Sequence, residues 1–336
     1  MPAVAVITPT KNRRSLLMEA AASVRTQTYT DWEHWIIDDG SDDGTEEMVR
    51  QWASEDPRIR YLQRTGDRRG ANVCRNLGIR STTADLVVFL DSDDLLEPDC
   101  LDRRVSAMSR NADLDFATFQ TSVFVEKPDD LGRQLNPDLI GDDLVRFLYF
   151  EFPWIITGPI WRRSRLLALG AFDEDLPSWQ DVDLHIRAIA IGCKYLRFPE
   201  IDHHVRWDSD PAKVSSQQRR SPKHLDAALG VLEKFETTIR GKVGLDWVRQ
   251  RALCSRYFFV AERWVEIGDF KRAASVWRKI RERDLGDFGL WASGIILLWV
   301  LHVLGENSVV SRLAGKWKGW MRLRTNPSLL KPTKTA

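Results

Sequence analysis

The residues best suited to chemistry are acidic side chains that directly follow an apolar run. Residues 87–94 read VVFLDSDD, so Asp91, Asp93 and Asp94 stand within four positions of one another. The apolar part is typical of a buried strand. Carboxylates this close together repel one another and resist burial. We therefore expect the end of this strand to meet a cation or open water.

A second acid pair follows another apolar run. Asp38 and Asp39 come directly after residues 35–37, which read WII. Neighbouring strands that end in carboxylates at one edge of a sheet form the polar crevice in which open α/β sheets bind ligands. The sequence therefore predicts the functional site at this edge.

The elements that must position these acids alternate between strands and helices. Short apolar runs near 4–7, 35–37, 59–62 and 86–90 predict strands, and the segments between them have helical spacing. This alternation favours a mostly parallel, Rossmann-like α/β sheet with helices on both faces. Residues 115–125 and 157–161 predict further strands, residues 181–191 predict a helix, and from about residue 222 the pattern is helical. A turn at 268–269 separates two of these later helices.

Composition limits the classes of partner. The chain of 336 residues carries 49 basic and 48 acidic side chains, so no overall charge favours nucleic acid. The first predicted strand begins almost at the first residue, which leads us to expect no signal peptide and a cytoplasmic location. No metal or redox spacing relates the four cysteines, which we interpret as reduced core thiols: Cys74, Cys100, Cys193 and Cys254.

One segment near the end of the chain suggests contact with a membrane. Residues 288–305 contain no acidic or basic side chain except His302, but they are marginal in length for a spanning helix. Cations and tryptophans follow between residues 312 and 324, a combination that suits an anionic membrane surface. A buried helix followed by a solvated basic tail is the alternative.

Five blocks of this sequence resemble family 2 glycosyltransferases in order and spacing. They are residues 6–13 (VITPTKNR), 23–29 (SVRTQTY), 37–45 (IDDGSDDGT), 75–78 (RNLG) and 90–94 (LDSDD). The resemblance covers about the first 210 residues and implies a GT-A fold with a C-terminal helical extension. It suggests a catalytic domain over 1–215, a helical extension over 216–285, and an amphipathic or apolar segment over 286–336.

The resemblance implies a site for a nucleotide-sugar donor. Residues 91–93 resemble the DxD element of the family, which implies that Asp93 binds a divalent Mn²⁺ or Mg²⁺ ion. Asp91 would contact this metal or the ribose. The remaining donor-binding residues implied by the family are Pro9, Thr10, Lys11, Asp39 as the reader of the base, Arg75 and Ser92. Lys11 departs from the aromatic residue that many members carry at this position.

The resemblance also implies an acceptor side. Residues 178–184 (SWQDVDL) are similar to the acceptor-side motif of the family, which makes Asp181 the base that removes the acceptor proton. Gln180 stands where a glutamate is usual. Because Asp181 begins a helix, we expect the helix dipole to favour its ionised form.

Other candidates surround these two halves. His204 or Arg206 could touch the diphosphate, and an aromatic face suits the C–H side of a sugar ring. The tryptophans considered for sugar stacking are Trp154, Trp161 and Trp179.

The sequence thus predicts an inverting, metal-dependent transferase that uses a nucleotide sugar, with a UDP-sugar expected. A glycan or lipid-linked acceptor in surface-polysaccharide synthesis at the inner face of the cell membrane is implied by the resemblance. Two alternatives stay open. A sugar-phosphate nucleotidyltransferase would favour a glycine-rich loop after the first strand, which residues 8–12 lack. A non-catalytic partner in membrane assembly could keep the same fold.

Overall fold

A mixed sheet forms the centre of the first two thirds of the chain. The computed structural model describes residues 3–135, 141–176, 178–207, 221–305 and 308–323. In these residues the strands are β1 (Val4–Thr10), β2 (Trp32–Asp38), β3 (Ile59–Gln63), β4 (Leu86–Phe89), β5 (Leu95–Leu96), β6 (Phe116–Phe124), β7 (Arg133–Gln134), β8 (Pro159–Arg162) and β9 (Tyr195–Arg206).

Helices connect and cover these strands. In chain order they are α1 (Arg14–Arg25), α2 (Thr45–Glu55), α3 (Ala71–Ser81), α4 (Cys100–Arg110), α5 (Asp143–Leu148), α6 (Arg163–Ala168), α7 (Gln180–Ala190), α8 (Pro222–Lys242), α9 (Trp247–Glu266), α10 (Phe270–Glu282), α11 (Phe288–Leu304) and α12 (Ser308–Leu323).

The strand order is β3-β2-β1-β4-β8-β6-β9-β5, with β7 paired to β6. Strand β1 lies between β2 and β4 and is parallel to both, with Ile7 opposite Trp35 on one side and Phe89 on the other. Strand β8 is antiparallel to β4 and β6, and β9 is parallel to β6. Since β1, β2 and β4 are parallel, their carboxyl ends meet at one edge of the sheet.

Alternation along β1 sends its side chains into two separate apolar layers. Val4 and Val6 pack with residues of α1 and α4, whereas Ile7 packs on the other face with residues of α3. Helix α3 approaches β1 closely because Gly78 has no side chain. A Cβ built on Gly78 would lie 2.5 Å from Ile7 Cγ2.

The C-terminal helices pack on one another and on the sheet domain. Helices α9 and α10 are joined at Gly268, whose φ of +88° favours glycine, and the turn predicted there is confirmed. Helix α11 packs on α10 at Gly294, where an added Cβ would lie 2.4 Å from Trp277. The described part of the chain contains no helix that combines the length and the apolar character required to cross a bilayer.

The structure confirms the predicted α/β class, with its mostly parallel sheet and helical C-terminal extension. The four cysteines are buried, and no disulfide joins any of them in the structure. The predicted domain limits at residues 215 and 285 stay predictions. The apolar segment forms a helix that is covered along one side only, so it corresponds neither to a spanning helix nor to a fully buried one.

Candidate active site

The site lies where β1, β2 and β4 end together. The backbone N–H of Asp39 donates to the carbonyl of Thr10 at 2.9 Å, which joins the end of β2 to the end of β1. On the other side of β1, the N–H of Leu90 donates to the carbonyl of Ile7 at 3.1 Å. These bonds hold the two acidic segments on either side of β1. The two strands therefore end at one edge of the sheet, as the sequence predicts, but they are not neighbours, because β1 lies between them.

Asp38 stabilises the turn after β2. Its carboxylate accepts hydrogen bonds from the backbone N–H of Ser41 at 2.9 Å, from the Ser41 hydroxyl at 2.6 Å and from the Tyr61 hydroxyl at 2.9 Å. With its side chain fully buried and both oxygens bonded, Asp38 has a structural role.

Asp39 bonds to the segment that joins β3 to α3. One oxygen pairs with the guanidinium of Arg64, which follows β3, and the other accepts the backbone N–H of Gly70 at 3.0 Å, directly before α3. Sequence reasoning missed Arg64, because an arginine at the end of a strand is a common surface feature. Asp39 therefore has a guanidinium partner at the position proposed for reading the base.

The two outer carboxylates of the DxD segment are each held by an arginine. Asp91 Oδ1 accepts from Arg75 Nη2 at 2.6 Å, and Asp93 Oδ2 lies 3.0 Å from Arg13 Nη1. The side chain of Arg75 is only 6% exposed, so Arg75 is not an ordinary surface arginine of a helix. Arg13 belongs to the loop after β1 and was not selected from the sequence, although it ends the first of the blocks that resemble the family.

Asp94 anchors this acidic loop to the rest of the sheet. Its carboxylate accepts from the Thr157 hydroxyl at 3.1 Å and from the backbone N–H of Arg206 at 3.3 Å. Burial raises the pKa of Asp94 well above its usual value, and the charges of Asp93 and Asp91 raise it further. The buried Asp94 carboxyl therefore favours its neutral form more than an exposed aspartate does.

Asp181 joins the same region from the start of α7, far along the chain. Burial raises the pKa of Asp181, while the backbone N–H of Val182 and the charge on Arg75 lower it and the charge on Asp91 raises it. The net shift is upward, in contrast to the helix-dipole expectation, because loss of water outweighs the favourable amide. Arg75 and Asp91 thus act electrostatically on Asp181, which connects the donor and acceptor halves of the predicted site.

Buried ion pairs fix the position of α7. Asp183 is 1% exposed, and its carboxylate lies 2.8 Å from Arg187 Nε and 2.8 Å from Lys234 Nζ of α8. Lys234 also pairs with Asp173 at 2.6 Å. Asp183 therefore positions the helix that carries Asp181.

The three residues Pro9, Thr10 and Lys11 at the end of β1 differ in their exposure to solvent. Pro9 and Thr10 are buried, and Lys11 is exposed. The Thr10 hydroxyl oxygen is buried and forms no hydrogen bond with the described part of the chain, so it is available to a ligand. Ser92 is 3% exposed within the acidic loop.

Of the two candidates for the diphosphate on β9, the structure leaves only Arg206 beside the acidic loop. Its Nε donates to the carbonyl of Asp93 at 3.2 Å, and its Nη2 donates to Glu19 at 2.5 Å. His204 is 2% exposed, and its two ring nitrogens are bonded to Glu97 and Ser122. Both ring nitrogens of His204 therefore have protein partners, and the contact of His204 with the diphosphate stays a prediction.

Of the three tryptophans considered for sugar stacking, two are fully buried and the third, Trp179, is partly exposed. Trp154 and Trp161 are fully buried in the core, so they cannot stack on a sugar. Trp179 lies directly before α7 with a φ of +57°, a strained conformation for a bulky residue, and meets the Phe150 ring edge-on at 4.7 Å. Gln180 begins α7, and its side chain donates to the carbonyl of Leu176 at 3.3 Å.

The residues that could hold a cation are few. Within residues 3–135, 141–176, 178–207, 221–305 and 308–323, no three His, Cys, Asp or Glu side chains are grouped to bind one metal ion. A cation at this edge would depend on Asp91 and Asp93, with its remaining ligands supplied by the substrate or by water.

Comparisons with known proteins find similarity to glycosyltransferases. The sequence profile described as glycosyl transferase family 2 matches residues 5–167. The GalNAc(5)-diNAcBac-PP-undecaprenol beta-1,3-glucosyltransferase of Campylobacter jejuni is 32% identical over 136 residues, which are 40% of this chain and 43% of that protein. The putative teichuronic acid biosynthesis glycosyltransferase TuaG of Bacillus subtilis is 38% identical over 109 residues, which are 32% of this chain and 42% of that protein. The matched regions span between 26% and 43% of the length of the first curated relatives.

Solved structures share the fold. S. aureus TarS 1–349 in complex with UDP-GlcNAc superposes with a TM-score of 0.63 at 16% identity, over 91% of this chain and 93% of that chain. The mannosyltransferase PcManGT from Pyrobaculum calidifontis, in complex with GDP-Man and Mn²⁺, gives a TM-score of 0.55 at 20% identity, over 96% and 85%. The profile match identifies residues 5–167 as a glycosyl transferase family 2 region, and the solved structures show that this chain has the GT-A fold.

Proposed function

We propose that this protein transfers a sugar from a nucleoside diphosphate, in the form of a UDP-sugar, to a hydroxyl group with inversion at the anomeric carbon. The observation that carries the proposal concerns the buried guanidinium of Arg75, which donates to Asp91 at 2.6 Å and also lowers the pKa of Asp181, 90 positions beyond Asp91 in the sequence. Separate acidic groups for the leaving-group side and the attacking side are what direct displacement requires.

The donor would lie along the carboxyl ends of β1 and β2. Pro9 and the unpaired Thr10 hydroxyl would line the nucleoside, and Asp39 would accept a hydrogen bond from the base. Arg64, which pairs with Asp39, would orient that carboxylate. The relative captured with UDP-GlcNAc supports a UDP-sugar as the donor class.

The acidic loop fits a divalent cation such as Mn²⁺ or Mg²⁺. Asp91 and Asp93 offer the hard oxygen ligands that these ions prefer, and the structure balances both carboxylates with guanidinium groups instead of burying them unpaired. When bound, the ion would offset the charge that develops on the departing diphosphate. The relative captured with GDP-Man and Mn²⁺ supports this assignment.

Arg13 and Arg75 would contribute to the same charge balance. Each guanidinium already contacts a carboxylate that would bind the cation, so each lies close to where the diphosphate would sit. Phosphate oxygens accept charge-assisted hydrogen bonds from arginine. The two arginines would therefore turn toward the diphosphate as the carboxylates take up the cation.

Asp181 would act as the base on the acceptor side. Burial raises the pKa of Asp181, and a raised pKa makes its carboxylate a stronger base. Trp179 and Gln180, which precede Asp181, would contact the acceptor or the transferred sugar. The ion pairs of Asp183 would keep α7 in place during the reaction.

The acceptor and location are proposed from the names of relatives. One relative acts on an undecaprenol-linked glycan according to its name, and another is named for teichuronic acid biosynthesis. We assign this protein to glycan or surface-polysaccharide synthesis on a glycan or lipid-linked acceptor, at the cytoplasmic face of the cell membrane.

A donor screen tests the proposal. The full chain is incubated with UDP- and GDP-sugars, with Mn²⁺, Mg²⁺ or EDTA, and both the melting temperature and release of the nucleoside diphosphate are measured. We expect one donor to stabilise the protein only when metal is present and to be turned over slowly by water. Stabilisation without turnover for any acceptor would favour a non-catalytic role. Release of inorganic pyrophosphate from a nucleoside triphosphate would favour a nucleotidyltransferase.

A further inference from the structure

Helix α11 is apolar on two opposite sides, and the protein covers only one of them. Residues 288–304 contain no Asp, Glu, Lys or Arg. Leu290, Gly294, Leu297, Leu298 and Leu301 form the covered side against the neighbouring helices. A helix that is apolar all round is normally buried in a protein or a membrane.

The opposite side forms a surface that we call the outer face of α11. It consists of Phe288, Ile296, Trp299 and Val303, whose side chains are 67%, 63%, 54% and 54% exposed. These positions fall on one side of the helix because an α-helix repeats every 3.6 residues. Four large apolar side chains exposed side by side are far more unusual than the same residues scattered over a surface.

The charge of the following segment indicates what covers this face. Residues 307–336 contain the basic side chains Arg312, Lys316, Lys318, Arg322, Arg324, Lys331 and Lys334 and no acidic one. Lys318 pairs with Glu262 of α9 at 2.6 Å, but the segment carries far more positive charge than this one pair offsets. Its charge therefore favours an anionic partner, and the uncharged helix that precedes it in the sequence favours an apolar one. An anionic lipid surface offers both at once, as headgroups above acyl chains.

A second copy of this chain fits less well. A two-fold contact through the outer face of α11 would cover that face but would offer the cations of residues 307–336 no anionic partner. The 17 residues of α11 also suit a helix that lies in the plane of the interface better than one that crosses it. Trp299 belongs to the residue type that concentrates at the headgroup level.

We propose that the outer face of α11 rests on an anionic lipid bilayer, with the helix parallel to the membrane plane. This surface lies outside the residues assigned to sugar transfer. Its test measures binding to vesicles instead of turnover, so its failure and that of the proposed function are distinguishable.

The experiment is co-sedimentation of the full chain with vesicles of phosphatidylcholine alone or mixed with phosphatidylglycerol. The test variant is Ile296→Glu with Trp299→Glu. The matched control is Leu167→Glu with Trp247→Glu, which places the same substitutions at two other exposed apolar positions, on α6 and α9. We expect the protein and the control to bind mixed vesicles, less so as salt rises, and the test variant to lose at least about tenfold in binding.

Folding and assembly are measured in parallel. Because the substituted side chains are exposed, the test variant should melt within about 2 °C of the unaltered protein. Release of diphosphate from the donor should also be unchanged. Failure of the unaltered protein to bind mixed vesicles, or equal binding by the test variant, would overturn the proposal. If the unaltered protein and the control are dimers, the test variant is a monomer, and the unaltered protein does not bind vesicles, then two copies of this chain meet on this face instead.

Discussion

Replacing Arg13 by glutamine should change the affinities for metal and nucleotide in opposite directions. In the structure, Arg13 Nη1 lies 3.0 Å from the Asp93 carboxylate that would bind the cation. A cation that binds this carboxylate oxygen must therefore displace the guanidinium. Once displaced, the guanidinium is free to turn toward the diphosphate of the donor.

The structure allows an order-of-magnitude value for both effects. The side chain of Arg13 is 40% exposed and that of Asp93 is 13% exposed, so water screens the pair and its contribution is about 1 kcal/mol. Loss of this competitor should tighten binding of Mn²⁺ alone about fivefold. Loss of a charged hydrogen bond to a diphosphate costs about 1.5–3 kcal/mol, so UDP binding in the presence of Mn²⁺ should weaken by roughly ten- to a hundredfold.

Calorimetry of Mn²⁺ alone, and of UDP at saturating Mn²⁺, measures both quantities. Arg103→Gln is the matched control, because it removes the same charge from a partly exposed pair, with Asp99, outside the crevice. The control should leave both affinities within about twofold. Unchanged Mn²⁺ affinity in Arg13→Gln, or weakening of both ligands together, would refute the idea that this arginine exchanges the carboxylate for the diphosphate.

Three further predictions concern the base, a buried ion pair and a close helix contact. Asp181→Asn should abolish sugar transfer while UDP affinity stays within about twofold, and retained transfer would remove Asp181 from the mechanism. In the unaltered protein, kcat/KM should fall at a pH above the ordinary aspartate range, because the group with the raised pKa must be deprotonated. Arg104→Leu should cost about 3–5 kcal/mol in urea unfolding, since it leaves the fully buried carboxylate of Asp202 without the guanidinium now 2.7 Å away; a loss below about 1 kcal/mol would contradict this. Gly294→Ala should lower the free energy of unfolding by about 1–3 kcal/mol, because the added Cβ would lie 2.4 Å from the Trp277 ring. Gly230→Ala is the control in α8, where the added Cβ would meet no atom within 4 Å, and it should raise the free energy of unfolding by about 0.5–1 kcal/mol. Melting temperatures that shift in the same direction for both alanine variants would contradict the close packing of α11 on α10.

The parts of the fold that depend on local pattern could be predicted from the sequence. Apolar runs that end in acids identified β2 and β4 and their carboxyl ends, and helical spacing identified α3 and α7. Burial of both faces of a parallel sheet leaves a strong local signal. The resemblance to the family then linked Asp181 to the DxD segment, a relation that spacing alone does not contain.

Pairing between distant side chains could not be predicted in the same way. Arg13 and Arg64 are two of many basic residues in loops, and only the folded chain shows that they hold the acids of the site. His204 and Trp161 are the opposite case. The residue type of each suggested ligand contact, but both side chains are buried among neighbouring strands.

The central claim is that the carboxylates of Asp91 and Asp93, after β4, bind a divalent cation and that this cation binds the nucleoside diphosphate. Its most direct test is titration of UDP into the unaltered protein and into Asp93→Asn, each with Mn²⁺ and with EDTA. We predict that UDP binds the unaltered protein at least about tenfold more tightly with Mn²⁺ and that the variant loses this difference. Equal UDP affinity with Mn²⁺ and EDTA, or a full metal effect in Asp93→Asn, would contradict the account.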